Sequence, residues 1–194
     1  MKQRRLIYCL LLFVSILAGA CSTSTPTAPK TVVKVVSLHE QWANLQAKAA
    51  EWYPDAYLVK ADIPIQGAVS PWLISASFQS PSHDKESLGV TLELNGRITT
   101  QRFQVPDSVY QIPPIQLNDI SVDSQEALNL LLDDDALRFL KEHPSHCSAL
   151  SLERNPSQPT KPTVWILWLS SCGASPSKLT FLDPTTHEVK PYSK

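Results

Sequence analysis

Apolar residues along the 194-residue chain fall at two spacings, and the two spacings alternate. Leu38, Trp42, Leu45, Ala49 and Trp52 recur at steps of four and three, one stripe of a helix. Ser37-Leu38-His39-Glu40 at the head of that stripe is a capping-box pattern: Ser37 accepts from the third helical N–H and Glu40 reaches back. Pro54 ends the helix, because the residue before a proline is driven out of helical geometry. The period then drops to two and predicts strands over residues 57–62, 72–79, 88–94 and 98–103. Asn95-Gly96 between the last two is a two-residue hairpin signal, since both central positions of a type I′ turn need positive φ.

The order then recurs. Asp123-Ser124-Gln125-Glu126 is an Asp version of the capping box, followed by Ala127, Leu128, Leu130, Leu131 and Leu132. Asp133-Asp134-Asp135 interrupts that stripe and recaps a second short helix over 136–142, which Pro144 stops. Strands are predicted over 149–154, 164–170 and 178–182, then a turn over 183–188 and a last strand from Val189. The fold class expected is α+β in two layers, a tandem repeat of helix plus four-stranded antiparallel sheet. The first repeat covers 37–103, a linker with Pro106, Pro113 and Pro114 covers 104–121, and the second repeat covers 122–194. A helix covers only one face of a small sheet, so the two sheets are expected to join into one, with the helices on one side.

Ahead of the first helix stands a different kind of segment. Lys2, Arg4 and Arg5 precede an apolar run ending in Leu17-Ala18-Gly19-Ala20-Cys21. The run is about five residues short of the roughly 20 needed to span hydrocarbon, so residues 1–20 read as an export signal. Small residues directly before a cysteine resemble the lipobox of bacterial lipoproteins. That resemblance implies cleavage before Cys21, acylation of its thiol and new amino terminus, and attachment to a cell membrane or outer membrane with the domain extracytoplasmic. Acyl chains contribute about 0.8 kcal/mol per buried methylene, enough for several to hold a protein at a membrane without a transmembrane helix. Residues 21–36 read as a lipidated tether, of which Ser22-Thr23-Ser24-Thr25-Pro26-Thr27-Ala28-Pro29-Lys30 has nothing large to bury.

The repeat resembles the PepSY family, best in its second half. The motifs are the Ala-Leu helix, Phe139-Leu140-Lys141-Glu142-His143-Pro144, a Trp-bearing strand, and Phe181-Leu182-Asp183-Pro184-Thr185-Thr186-His187-Glu188-Val189, where His187 stands in place of the family's usual Gly. Histidine tolerates positive φ better than most side chains. The resemblance implies an antiparallel sheet with a helical layer in an exported or anchored protein, with a role in restraining peptidases. It implies no catalytic residues.

Cys9 leaves with the signal and Cys21 is the anchor, which leaves Cys147 and Cys172 in the folded part. An exported pair is expected to be oxidised. Pairing 149–154 with 164–170 as a hairpin, with Leu150 opposite Leu169 and Arg154 opposite Trp165, also sets Cys147 opposite Cys172. A bridge there closes the open end of the hairpin and stabilises by about 3 kcal/mol.

Catalytic and cofactor motifs are not apparent. His143-Pro144-Ser145-His146 has a His-x-x-His spacing, but Pro144 breaks any helix that would align the rings, so no metal is expected. The acidic run at 133–135 lacks the alternating ligands and Gly of a calcium loop. Ser170-Ser171-Cys172-Gly173 is not a nucleophile elbow, and five glycines leave little room for a phosphate loop. Seventeen Lys+Arg against 18 Asp+Glu exclude a general nucleic-acid binder; losing Lys2, Arg4 and Arg5 with the signal takes the balance from −1 to −4.

Aromatic residues are the remaining signal. Alternation sends Trp165, Leu167 and Leu169 to one face of their strand and Val164, Ile166 and Trp168 to the other. One face meets the helices, and the other is either buried by a neighbouring element or open to a partner. Trp168, with Trp165 and Trp72, makes up the candidate binding surface, Trp168 being favoured for the open face. The function expected is a lipid-anchored protein-binding module acting on an envelope or secreted protein, without cofactor or catalysis. The alternative is a lipoprotein that holds a small apolar ligand between helix and sheet.

Overall fold

A computed structural model describes residues 33–105, 112–154, 163–176 and 178–191. The proposed signal, Cys21 and most of the tether lie outside the described residues.

The helix α1 (Leu38–Ala50) starts where Ser37 accepts the N–H of Glu40, and it buries Leu38, Leu45 and Ala49. Four strands follow: β1 (Tyr57–Pro64), β2 (Trp72–Gln79), β3 (Glu86–Glu93) and β4 (Ile98–Gln104). Next come α2 (Ser124–Leu131), α3 (Asp134–Glu142), β5 (Ala149–Arg154), β6 (Thr163–Leu169), β7 (Lys178–Leu182) and β8 (Val189–Pro191). All eight strands form one antiparallel sheet in the order β4-β3-β2-β1-β5-β6-β7-β8. The fold is therefore α+β, with β1 and β5 paired at the centre of a continuous sheet.

Alternation divides each strand between two faces. Ile74, Ala76 and Phe78 of β2, Leu88, Val90 and Leu92 of β3, Leu150 and Leu152 of β5, and Trp165, Leu167 and Leu169 of β6 join one core with Leu38, Leu45, Ala127, Leu128 and Ala136 of the helices. On β1 the alternation slips, because Val59 is an extra residue between the pairs Leu58–Phe78 and Lys60–Ser77. This bulge lets Leu58 share a core with Ala61 and Ile63.

Three local expectations are corrected. The β3–β4 hairpin forms, but Asn95 does not take positive φ; Gly96 does, at 82°. Gly96 N–H reaches the Glu93 carbonyl and Glu93 N–H reaches the Arg97 carbonyl, so the loop is Leu94-Asn95-Gly96, a three-residue turn with Gly in the left-handed position. Asp123 makes no side-chain cap on α2; its carboxylate instead accepts the N–H of His39, at the start of α1. The β5–β6 register differs by two residues from the expected one: Leu150 faces Leu167 and Arg154 faces Thr163.

The stretch expected to be a linker also packs. Ile115 donates its N–H to the Leu58 carbonyl, and Ile115 and Ile120 are buried in the core. Arg154, at the end of β5, donates to the carbonyls of Pro113 and Pro114 and lies 3.5 Å from Asp119. One guanidinium thus fastens this crossing segment across the end of the sheet. Among the described residues no helix is long and apolar enough to cross a membrane.

Candidate functional site

Trp72 opens β2, and its placement depends on a second bulge. Trp72 pairs with Glu93 and Ile74 with Leu92, so Leu73 is the extra residue and Trp72 falls outside the buried row of that strand. The Ser70 hydroxyl accepts the N–H of Trp72 and donates to its carbonyl, at 3.2 and 3.0 Å. Leu94, in the β3–β4 turn, stands alongside, its N–H directed at the Pro71 carbonyl.

The loop between β1 and β2 is braced from two other directions. Gln66 N–H donates to the Lys34 carbonyl, Ile65 N–H to Ser148 and Val69 N–H to His146. Gly67 has a φ of 93°, and a Cβ there would lie 3.4 Å from Nε2 of His146. His146 is buried, and its Nδ1 accepts the Ser148 N–H at 3.2 Å. Burial lowers the pKa of this imidazole, with the charge of His143 adding to that and a backbone hydrogen bond to Gln66 opposing it. Next to it, Cys147 and Cys172 form a disulfide with their Cα atoms 4.9 Å apart. Because Cys147 N–H bonds to the Ser170 carbonyl and His146 bridges to Ser171, the disulfide runs diagonally across the hairpin and not between directly opposed residues. It holds the segment against which the β1–β2 loop rests.

These elements enclose a hollow of about 310 Å³ lined by Val35, Val36, Ile65, Trp72, Leu73 and Leu94, among others. Val69 and Leu94 are each 64% exposed and Trp72 is 38% exposed. Trp72 and Leu94 thus stand partly in water at the hollow, with Lys34, Gln66 and Ser70 around them, and Val69 is exposed in the adjoining β1–β2 loop. The hollow can hold an apolar side chain or a small apolar ligand against an indole.

The other tryptophans named from sequence are elsewhere. Trp165 is fully buried and donates its Nε1–H to the Val122 carbonyl at 2.8 Å, so its assignment to a binding surface is corrected: it is a core residue. Trp168 lies on the opposite face of β6, half-buried, and among the described residues its Nε1 has no hydrogen-bond partner. Its neighbours on that face are not open to solvent, for Val164 and Ile166 are buried. The structure therefore does not bring Trp72, Trp165 and Trp168 together.

A second concavity lies at the other end of β1, and none of its residues was a candidate site residue in the sequence. Two hollows of about 500 and 570 Å³ share Tyr57 and Pro114. Asp55 accepts from the hydroxyls of Ser80 and Ser82, both at 2.5 Å, and from Ser82 N–H at 3.2 Å. Those two hydroxyls hold its pKa below the ordinary value, against a smaller opposing effect of burial. Burial raises the pKa of Tyr57, and the Asp55 charge adds to it. His83 stacks on Tyr53 with ring centroids 3.8 Å apart. Ser80 and Ser82 thus both donate to a carboxylate, and among the described residues no histidine is hydrogen-bonded to either as a base. In the sequence Pro54 marks only the end of the first helix and Pro113 and Pro114 only a linker, and neither feature points to a site here.

Among the described residues no cluster of three His, Cys, Asp or Glu side chains could hold a metal. His143 stacks on Phe139, and Asp133 caps α3 by accepting the Ala136 N–H while pairing with Lys178. No family model matches the chain, and neither a curated protein nor a solved structure matches it.

Proposed function

We propose that the chain is an extracytoplasmic lipoprotein, anchored through Cys21, whose folded part binds an envelope or secreted protein at the Trp72 hollow. The observation that carries this reading is the pairing of exposed Trp72 and Leu94 at the mouth of an apolar recess with a polar margin. Exposed apolar groups of this kind mark contact sites, and a central tryptophan beside a recess is the usual form of an interface hot spot. The partner fitted to it presents a protruding apolar side chain. The disulfide accords with an oxidising compartment. Restraint of a peptidase is the version of this reading that the PepSY-like motifs suggest. A tandem origin of the two halves is supported by the strand order, which runs outward from β1 to β4 on one side and from β5 to β8 on the other.

The anchor is tested with labelled fatty acid, which should enter the parent chain and not Cys21→Ala; equal labelling of both removes the anchor. The binding site is tested with Trp72→Ala, which should weaken partner binding by at least about tenfold, or roughly 1.4 kcal/mol, with the fold intact.

A second reading has the same recess for support. A volume of about 310 Å³ suits a small apolar ligand. In that case an apolar ligand alone shifts Trp72 fluorescence, and Trp72→Phe abolishes the shift.

A further inference from the structure

The two edges of the sheet are built differently. The edge strand β8 is three residues long and contains Lys190 and Pro191, a charge and a proline that discourage a further strand. At the other edge, β4 is seven residues, Ile98-Thr99-Thr100-Gln101-Arg102-Phe103-Gln104, without proline and with one charge. In its ladder with β3, Val105 N–H donates to the Lys85 carbonyl at 3.0 Å and Glu93 N–H to the Arg97 carbonyl at 2.8 Å. Between these lie the pairs Thr91–Thr99, Gly89–Gln101 and Ser87–Phe103. Hydrogen-bonded pairs alternate along an antiparallel ladder, so the odd-numbered residues of β4 turn their backbone groups toward β3. The N–H and C=O groups of Ile98, Thr100, Arg102 and Gln104 therefore turn outward, and among the described residues no strand pairs with them.

We propose that β4 pairs antiparallel with β4 of a second copy of this chain, about a two-fold axis at Gln101, joining the two sheets edge to edge. The strand is complementary to itself in this register. Ile98 meets Gln104 of the other copy and Thr100 meets Arg102, so every outward backbone group of the strand exchanges a hydrogen bond. Moving the register two residues one way sets Arg102 against its own copy, a like-charge pair. Moving it two residues the other way sets Gln104 against the turn at Gly96. Phe103, the largest side chain of the strand, folds back over Gly89 of β3, where a Cβ would lie only 2.7 Å from the ring, and so packs away from the outward edge.

The register makes a specific demand on Gln101, which faces itself in a pair that is not hydrogen-bonded, with Cα atoms about 4.5 Å apart, within disulfide reach. Gln101→Cys in the full chain, purified in detergent and mildly oxidised, should give a covalent dimer on a non-reducing gel. Its yield should exceed that of Thr99→Cys by about tenfold, with the parent chain reporting any contribution of its own cysteines. In sedimentation the parent should have twice the mass of the single processed chain measured on a denaturing gel, after allowance for detergent. Thr100→Pro removes an outward N–H without touching the β3 ladder, a substitution edge strands tolerate, and should sediment as a monomer with an unchanged circular dichroism spectrum. If Thr100→Pro does not fold, Thr100→Lys takes its place. A monomeric parent, a dimer that survives these substitutions, or equal cross-linking at positions 99 and 101 would each overturn the proposal.

Discussion

Ser124 Oγ accepts the N–H of Leu38 at 3.0 Å and donates to the Val36 carbonyl at 2.7 Å. The first residue of α2 thereby completes the start of α1, 86 positions away. Asp123 beside it accepts the His39 N–H at 3.1 Å, so the two helix starts share one polar junction. Ser124 is buried, and its loss would remove the hydroxyl that serves the first N–H of α1 and the Val36 carbonyl just before it. Ser124→Ala is expected to destabilise by about 1–3 kcal/mol, measured by denaturant unfolding. A change below about 0.5 kcal/mol, the range of ordinary surface substitutions, would count against the junction.

The Asp123 carboxyl gives that junction a pH signature. Burial pushes its pKa up, but hydrogen bonds from Ser37, His39 and Ser124, with the charge of His39, outweigh burial and hold it below its ordinary value. A lowered carboxyl pKa contributes stability that is complete above the ordinary carboxylate range and is lost as pH falls through it to the folded value. Asp123→Asn should therefore be less stable than the parent at neutral pH, and the difference should shrink toward pH values of about 3. A constant difference across that window would contradict the assignment.

His146 acts in the opposite chemical sense. Its lowered pKa means that the fold prefers the neutral ring. Stability should be full above about pH 6.5 and decline as pH falls from there toward the folded value, because the unfolded chain then binds the extra proton. His146→Asn keeps an acceptor for the Ser148 N–H and should flatten the fall in Tm between about pH 7 and 5. An unchanged slope would place the titration elsewhere.

The disulfide between Cys147 and Cys172 spans 25 positions. Opening it should cost about 3 kcal/mol, a fall of roughly 6–12 °C in Tm for a chain of this size. Cys147→Ala should lose the difference in Tm between oxidising and reducing buffer that the parent shows. Because the bridged segment carries the β1–β2 loop on His146 and Ser148, the Trp72 fluorescence should shift as well. Identical melting in both buffers would contradict a stabilising bridge.

His187 has a φ of 57°, and no other non-glycine among the described residues takes positive φ. Its N–H bonds to the Asp183 carbonyl at 2.8 Å and Asp183 Oδ1 receives Thr185 and Thr186, so the turn imposes the conformation. His187→Gly should raise stability by about 0.5–1 kcal/mol by relieving a left-handed side chain. A lower denaturant midpoint would show that the imidazole makes a contact worth more than the strain.

Much of the fold was legible because its elements are locally consistent. The stripe of Leu38, Leu45 and Ala49 and the alternation in β6 set both the type of element and its inner face. What sequence misread involved choices that a period cannot encode. A strand pairing moved by two residues leaves every side chain on the same face, which is why Leu150 could be set against Leu169 while it pairs with Leu167. The bulges at Val59 and Leu73 have no local signature, yet the second fixes where Trp72 stands. Asp123 carries a capping pattern for its own helix and is used by another. Trp165 and Trp168 differ only in parity, and parity alone does not say which face is covered.

The central claim is that the recess at Trp72 meets a protein. The most direct test places a photo-reactive amino acid at Leu94 in the full chain, in the cells that make it, with Leu130, another exposed apolar residue on α2, as the control position. Irradiation should yield one dominant adduct from position 94, absent from 130 and lost when Trp72→Ala is added, and mass spectrometry of the adduct identifies the partner. The same adducts from both positions, or none from 94 while the chain is folded and anchored, would contradict the account.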